Sequence, residues 1–282
     1  MVAVRDAATV VLVRDRAGLE VLVMRRNPDA VFGPGATVFP GGALDPGDDA
    51  PSLATRTVGG AADAADRLLG TSSGATARWH AAARECFEEA GVLLARTRAG
   101  APVSGSDATR LSPWRIALHR HEATWAEMLE AEDLVVDLRD LHVFAHWLTP
   151  VGPPRRYDTW FFVAAAPHEH DAVHDDIELV SSTWLTPREA LERHERGEID
   201  LIFPTWRTLL ALDRFPSAAA ALAAVQSARG ADGRVRVVAE GSGERVLLPG
   251  DDTRDARGWT VPLPDPDRRV DRALFTRHEG VA

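Results

Sequence analysis

The strongest constraint in this chain is the acidic stretch RECFEEAGV at residues 84–92. It lies in an alanine-rich segment with charges at helical spacing, and Gly91 stands where a helix would end. In a helix, Glu85, Glu88 and Glu89 fall within an arc of about 100°. Like charges on one stripe repel each other unless a cation lies over them. The stretch therefore predicts either a solvated acidic helix face or a site for hard divalent cations such as Mg²⁺ or Mn²⁺.

Two further residues of this stretch have different predicted roles. Arg84 lies one turn before Glu88 and offsets part of the negative charge. Cys86 lies off the acidic stripe, so we expect a small buried residue rather than a nucleophile. It is the single cysteine of the chain, which excludes an intrachain disulfide and fits a reducing compartment.

The composition bounds the class of protein. The 282 residues suffice for one large domain or two small ones, and 45% hydrophobic with 26% charged residues is ordinary for a globular protein. A formal net charge of −10 argues against nucleic acid binding. The apolar N-terminal run is short and interrupted by charges, which argues against a signal peptide or a membrane span. We therefore expect a cytoplasmic protein with neither a nucleic acid nor a membrane partner.

Arginine is the only strongly basic residue, because the chain contains no lysine. This excludes lysine Schiff-base chemistry and the lysine-bearing P-loop. Contacts to an anionic substrate would have to come from arginine. The candidates are Arg25 and Arg26, which end a predicted strand, and Arg155 and Arg156, which precede another. Each of them could equally be surface charge, the more frequent place for an arginine.

Hydrophobic patterns predict a mixture of strands and helices. The predicted strands cover residues 7–14 and 20–26 as a hairpin, 37–39, 141–150, 157–166 and 180–187. The predicted helices cover about 77–90, one or two segments within 112–133, one from 186 and one from 204. Residues 49–77 are small and polar and predict flexible connection around a short helix at 61–69.

The chain divides near Pro216. We expect residues 1–215 to form the main domain, which includes the insertion at about 49–77. Residues 216–282 are predicted to be a C-terminal extension with a hairpin, packed on the same domain.

A second motif, GGALDPGDD at residues 41–49, follows FPGG and precedes the acidic stretch. Together they resemble the box of the Nudix hydrolases, G-x5-E-x7-R-E-U-x-E-E-x-G-U, where U is bulky and apolar. Gly42 matches its first position and residues 84–92 its second half. Two features depart from the pattern. Asp48 stands where glutamate is usual, with Asp45 and Asp49 as alternatives, and 35 residues instead of seven separate Asp48 from Arg84.

The long interruption resembles one branch of the family, the peroxisomal coenzyme A and acyl-CoA diphosphatases of animals. This resemblance implies an α+β fold, a Nudix α/β/α sandwich with a mixed β-sheet, an insertion inside the box, extra helices and a C-terminal tail. The insertion is either a cap that shapes the substrate pocket or a tolerated surface excursion, because long loops cost little closure entropy.

The resemblance also implies site residues. Glu85, Glu88 and Glu89, with the carbonyl of Gly41, would hold Mg²⁺ or Mn²⁺, which would bridge a diphosphate and lower the pKa of a water molecule. Arg84 would orient the carboxylates. The expected catalytic residues are Glu85, Arg84 and Glu88.

The substrate contacts and the general base depend on residues outside the acidic helix. Substrate contacts are expected from Gly42 and from the arginines, namely Arg25, Arg26 and Arg156. The general base in the family is a box glutamate or an acid on a distant loop. Here that loop offers Glu178 as the first choice, beside Asp175 and Asp176, and a solvated acidic loop is the alternative. Three histidines of the same loop, His168, His170 and His174, match no strong zinc pattern.

Three functions remain open from the sequence. The expected one is hydrolysis of coenzyme A or acyl-CoA to 3′,5′-ADP and a 4′-phosphopantetheine species. The second is the same chemistry on ADP-ribose, NADH or a nucleoside triphosphate. The third is a non-catalytic binding module, although such modules usually lose box carboxylates that are all present here. Relatives are often dimers, so a homodimer is an expectation of the resemblance.

Overall fold

The computed structural model describes residues 3–16, 18–30, 33–149, 155–167, 172–175, 178–227, 236–240 and 243–247. Within these ranges, every helix is too short or too polar to cross a membrane. The candidate zinc residues His168 and His170, the candidate base Asp176 and the tail from 248 to 282 lie outside the described residues.

A mixed β-sheet forms the centre of the fold. Its strands are β1 (Val4–Asp15), β2 (Leu19–Arg26), β3 (Thr37–Val38), β4 (Gly41–Ala43), β8 (His142–Leu148), β9 (Arg156–Ala165) and β10 (Leu179–Leu185). The strand order is β10-β2-β1-β9-β8, with β3 beside β2 and β4 beside β1. Strands β1 and β9 run parallel and the other pairs antiparallel. Two smaller sheets contain β5 (Thr57–Val58), β6 (Arg96–Thr97) and β7 (Leu134–Asp137), and β11 (Arg236–Glu240) and β12 (Gly243–Leu247).

Eight α-helices lie in the described part of the chain. They are α1 (Ala62–Leu69), α2 (Thr76–Ala90), α3 (Gly105–Arg110), α4 (Ser112–His119), α5 (Trp125–Ala131), α6 (Pro187–Glu195), α7 (Phe203–Leu212) and α8 (Ala218–Ser227). The predicted helical region at 112–133 thus contains two helices, and Leu111 is the residue before the first of them. Strand β7 and helix α3 were not predicted.

The central sheet is covered on both faces, which explains the continuous apolar run of β1. Alternate residues of a strand point to opposite faces. Val10 and Leu12 pack in one buried cluster with Phe87 of α2. Val11 and Val13 pack in a second cluster, to which α6, α7 and α8 contribute. The predicted α/β/α sandwich with a mixed sheet, extra helices and a box insertion is confirmed.

The C-terminal extension begins on this second face. Ala218, Ala221 and Val225 of α8 are buried against it, and Asp15 accepts hydrogen bonds from the N–H groups of Ala218 and Ala219. Strands β11 and β12 form the predicted hairpin. The division at residue 215 remains a prediction.

The insertion is neither a cap over the pocket nor a loose excursion. It contains one 3₁₀ helix (Pro51–Arg56), β5 and α1, and β5 pairs in parallel with β7. Leu53, Ala65 and Leu69 are buried in the same cluster as α2. Asp66 accepts a hydrogen bond of 2.9 Å from the N–H of Ala75, at the beginning of α2. The insertion therefore packs against the same apolar layer as the acidic helix, through Leu53, Ala65 and Leu69.

A buried histidine joins the insertion to the rest of this layer. Trp125 Nε1 donates to His80 Nδ1 at 3.1 Å, so His80 Nε2 carries the proton and donates to Thr57 Oγ1 at 2.8 Å. Thr57 in turn donates to the carbonyl of Leu53. Burial lowers the pKa of His80 from 6.5 to about 4. Only the neutral ring can accept one hydrogen bond at Nδ1 and donate another from Nε2, so His80 is neutral in this arrangement.

Two adjacent leucines test whether the insertion is part of the core. Leu69 is buried, whereas Leu68 is 46% exposed. Leu69→Ala should lower the free energy of unfolding by about 2–5 kcal/mol because it opens a cavity in the core. The matched variant Leu68→Ala should change it by less than about 0.5 kcal/mol. Urea unfolding measures both values, and equal effects would contradict the assignment.

The neutral state of His80 predicts a pH dependence of stability. Because burial lowers its folded pKa, the unfolded chain binds a proton first as the pH falls below about 6.5, so stability is lost between pH 6.5 and 4. From pH 7 to pH 4.5 the wild type should lose about 2 kcal/mol more than His80→Gln. Urea unfolding of both proteins at the two pH values tests this, and parallel losses would refute it.

Candidate active site

Arg84 is the centre of the candidate site and joins the two halves of the interrupted motif. It is 5% exposed. Its Nε and Nη2 atoms each donate to Asp48 at 2.9 Å. Nη1 donates to Glu85 at 3.0 Å and to Glu88 at 3.2 Å, both on α2. One guanidinium thus fixes the glycine-rich loop against the acidic helix, with the forked geometry in which arginine binds carboxylates.

The structure distinguishes the three aspartates that could replace the early glutamate. Asp48 is 1% exposed and makes the forked pair with Arg84. Its Oδ2 also accepts the N–H of Asp45 at 2.8 Å. Asp45 Oδ2 lies 3.9 Å from Arg84 Nη1, which is too far for a hydrogen bond. Asp49 is exposed, and its carboxylate lies beside Gly74. Asp48 therefore holds the loop and the helix together, and the shorter side chain reaches Arg84 because its own backbone lies close by.

The glycine-rich loop makes backbone contact with the acidic helix. The N–H of Gly41 donates to Glu89 Oε2 at 2.7 Å. Residue 42 lies so close to the helix that an added Cβ would stand 2.5 Å from Glu85 Oε1. Glycine is required at this position because any side chain would displace that carboxylate.

The site carries more negative charge than its arginine neutralises. Burial, together with repulsion from Glu88 and Glu178, raises the pKa of Glu85 to about 8, although Arg84 offsets part of the effect. Burial and repulsion from Glu85 raise the pKa of Glu89 well above its usual value, while the Gly41 N–H lowers it in part. Such a set of crowded carboxylate oxygens fits a hard divalent cation, which would replace the missing positive charge.

A cavity of about 690 Å³ opens beside these carboxylates. Its volume is typical of small-molecule sites. Gly41, Gly42, Glu85, Glu88 and Glu178 line its acidic end. The remaining wall is largely aromatic and apolar, and includes Phe39, Trp147, Tyr157, Phe161 and Phe203. None of the described wall residues belongs to the insertion at 49–77.

Only part of the predicted arginine set reaches the cavity. Arg26 and Arg155 line it, whereas Arg25 and Arg156 do not. Arg25 and Arg156 lie outside the cavity lining because neighbouring strand residues point to opposite faces, and their role as substrate contacts stays a prediction. Arg25 is exposed, and Arg156 donates to the carbonyl of Thr149. The buried Nε of Arg26 has no hydrogen-bond partner among the described residues, so this group is available to an anionic ligand.

Other residues confirm or extend the sequence analysis. Cys86 is buried, as predicted, and burial raises the pKa of its thiol. His119 and His121 line the cavity and were missed. The pattern HRH at the end of a predicted helix was the available signal, but it does not show which way the helix end faces.

Comparison with known proteins agrees with this geometry. A family model described as the NUDT19 Nudix domain matches residues 70–212. The chain is 32% identical to the acyl-coenzyme A diphosphatase NUDT19 of Gallus gallus, over 76% of this chain and 69% of that protein. The corresponding Homo sapiens protein is 29% identical, over 71% of this chain and 62% of its own length. The chain thus spans about two thirds of these curated relatives.

A solved structure supports the same assignment. The crystal structure of a NUDIX hydrolase from Alicyclobacillus acidocaldarius is 32% identical, with a TM-score of 0.63, over 79% of this chain and 97% of that one. The chain therefore belongs to the NUDT19 Nudix domain family and is a Nudix hydrolase.

Substitutions at two of the three aspartates test the assignment of Asp48. Asp48→Ala should lower the free energy of unfolding by about 3 kcal/mol, because it leaves Arg84 buried without its forked partner. The exposed Asp49→Ala is the matched control, with an expected change below about 0.5 kcal/mol. Denaturant unfolding measures both. A larger loss in Asp49→Ala than in Asp48→Ala would reverse the assignment.

Proposed function

We propose that this enzyme hydrolyses the diphosphate linkage of coenzyme A or acyl-CoA, giving 3′,5′-ADP and (acyl-)4′-phosphopantetheine, with Mg²⁺ or Mn²⁺ as cofactor. The observation that carries the proposal is the buried Arg84–Asp48 pair, in which Arg84 also binds Glu85 and Glu88 at the acidic end of a large cavity. The substrate is inferred from similar proteins, which are acyl-coenzyme A diphosphatases.

The acidic end would bind the cofactor. Glu85, Glu88 and Glu89 would hold the cation together with the carbonyl of Gly41, and Arg84 would keep two of the carboxylates in place. When bound, the divalent cation would stabilise the negative charge that develops on the diphosphate during hydrolysis. The N–H of Gly41 orients Glu89 before any ligand enters.

The cavity wall would bind the substrate. Arg26 and Arg155 are the proposed phosphate contacts, because both line the cavity and the chain has no lysine to replace them. Gly42 permits close approach of the diphosphate to the loop. The aromatic wall would cover the less polar portion of the substrate. Arginine forks match phosphate oxygens, which suits a diphosphate at the acidic end.

Glu178 is the proposed general base. It lines the cavity and lies near enough to Glu85 and Glu89 to raise the pKa of both. It belongs to a different segment from α2, so it can accept a proton from an attacking water while the helix carboxylates hold the cation. The homodimer and the cytoplasmic location stay predictions.

A turnover assay tests the proposal. Purified protein with Mg²⁺ or Mn²⁺ should cleave coenzyme A or acyl-CoA faster than ADP-ribose, NADH or nucleoside triphosphates, and EDTA should abolish turnover. Glu85→Gln and Glu89→Gln should each lower kcat on the order of 100-fold or more, because several kcal/mol of charge stabilisation are lost. The matched control is Glu130→Gln, at an exposed helix position, which should leave kcat unchanged.

Each result has a separate meaning. Preference for ADP-ribose, NADH or a nucleoside triphosphate would replace the substrate but keep the chemistry. Normal rates in both variants would show that the cation is held elsewhere. Absence of turnover of the whole panel would refute the enzyme assignment in favour of a binding module.

A further inference from the structure

Arg115 of α4 connects two separate segments of the active site. Its Nε donates to the carbonyl of Glu88 at 2.7 Å, and its Nη2 donates to the carbonyl of Glu89 at 2.8 Å. The same Nη2 donates to the carbonyl of Val173 at 2.8 Å. Three of its N–H groups therefore bind main-chain oxygens on two segments that are more than 80 residues apart in sequence.

The first segment is the end of the acidic helix. The last carbonyls of a helix have no partner within it, and a cation placed there is favourable. Arg115 supplies both the hydrogen bonds and the charge. Gly91 ends the helix with φ of 67°, and an added Cβ there would stand 3.0 Å from Arg115 Nη1. Glycine at position 91 thus allows both the turn and the close approach of the guanidinium.

The second segment leads to the proposed base. The N–H of Val173 donates to the carbonyl of Ala90 at 2.9 Å, so this segment is tied to the helix end twice. Two residues further on, Asp175 Oδ1 accepts the N–H groups of Glu178 at 3.1 Å and of Leu179 at 2.9 Å. The segment from Val173 to Asp175 therefore fixes the backbone from which the Glu178 side chain extends.

Glu178 is also held from the other side. The N–H of Asn27 donates to the carbonyl of Glu178 at 2.8 Å, and Ser182 on β10 donates to the carbonyl of Ala172 at 2.9 Å. Hydrogen bonds to Asn27 and to β10 therefore hold this segment, at Ala172 and at Glu178, on the side next to the sheet. The side that faces the carboxylates of α2 depends on the Val173 contacts with Ala90 and Arg115.

We propose that Arg115 is a positioning residue that sets the distance between Glu178 and the glutamates of α2. Its three hydrogen bonds make the helix end and the base-bearing segment move as one unit. The role rests on the proposed hydrolysis, in which Glu178 is the base. A displacement of about 1 Å at a reacting group lowers the rate up to about 100-fold, so loss of this connection should reduce kcat while leaving the substrate wall intact.

The experiment compares Arg115→Met, Arg115→Lys, Glu178→Gln and the double variant Arg115→Met/Glu178→Gln, with acyl-CoA as substrate. Arg115→Met should lower kcat about 10- to 100-fold with KM changed less than about threefold. Lysine should restore part of the loss, since one ammonium reaches some of the carbonyls but lacks the fork. The double variant should be no slower than Glu178→Gln alone, because both changes act through one group. The exposed Arg120→Met, just after α4, is the matched control and should behave as wild type.

Amide hydrogen exchange gives a second readout that does not depend on activity. In Arg115→Met the amides of Val173 and Leu179 should exchange faster, whereas those of β1 should be unchanged. Additive rate losses in the double variant, or normal kcat with only a lower Tm, would overturn the proposal.

Two outcomes need a separate reading. If the wild type cleaves no substrate, the proposed function fails. Amide hydrogen exchange alone then decides whether Arg115 holds the segment that contains Val173. Unchanged exchange at Val173 and Leu179 in Arg115→Met would overturn the proposal. If Arg115→Met does not fold, Asp175→Asn replaces it. This variant should also lower kcat with little change in KM, because it weakens the hydrogen bonds from Asp175 to the N–H groups of Glu178 and Leu179. A normal kcat in Asp175→Asn overturns the proposal.

Discussion

The forked ion pair between Arg84 and Asp48 is the interaction on which the site depends. It bridges the 35 residues that separate the two halves of the motif, and both partners are almost completely buried. A buried pair of this kind is costly to assemble and more costly to break, because either partner alone would be an uncompensated charge. The pair therefore makes the loop and the helix one unit, whatever the length of chain between them.

The arrangement leaves one guanidinium to hold Asp48, Glu85 and Glu88, with Glu89 held by a backbone N–H. The carboxylates are thus oriented by hydrogen bonds but not neutralised by charge. A cation binds best where carboxylate oxygens are already in position and where no other positive charge reduces the repulsion between them. The rest of the fold maintains this state: the insertion packs behind the helix, and Arg115 binds its C-terminal end.

Much of this could be predicted from the sequence, and the reasons for the failures are physical. The acidic helix, its end at Gly91 and the sandwich followed from periodicity and from the motif. The sequence could not show that Arg26 and Arg155 line the cavity while Arg25 and Arg156 do not, because a shift of one residue turns a strand side chain to the other face of the sheet. Asp48 could not be separated from Asp45 and Asp49, since burial depends on the path of the loop.

The insertion shows a different limit. Its small, polar composition predicted a flexible connection, yet the buried side chains of Leu53, Ala65 and Leu69 attach it to the core, together with the short parallel pairing of β5 with β7. A segment with few apolar residues can be ordered when its partner surface is already in place. His80 and Arg115 were not recognised either, because their partners are distant in sequence.

The contact between Gly41 and Glu89 has a consequence for how such a site can be studied. Its donor belongs to the main chain, so a scan that replaces one side chain after another with alanine leaves that donor present throughout. Such a scan would identify the glutamate, but it would not remove the N–H group that orients it. In this enzyme, side-chain substitutions therefore identify fewer groups of the active site than the structure contains. The groups that they miss belong to the peptide backbone.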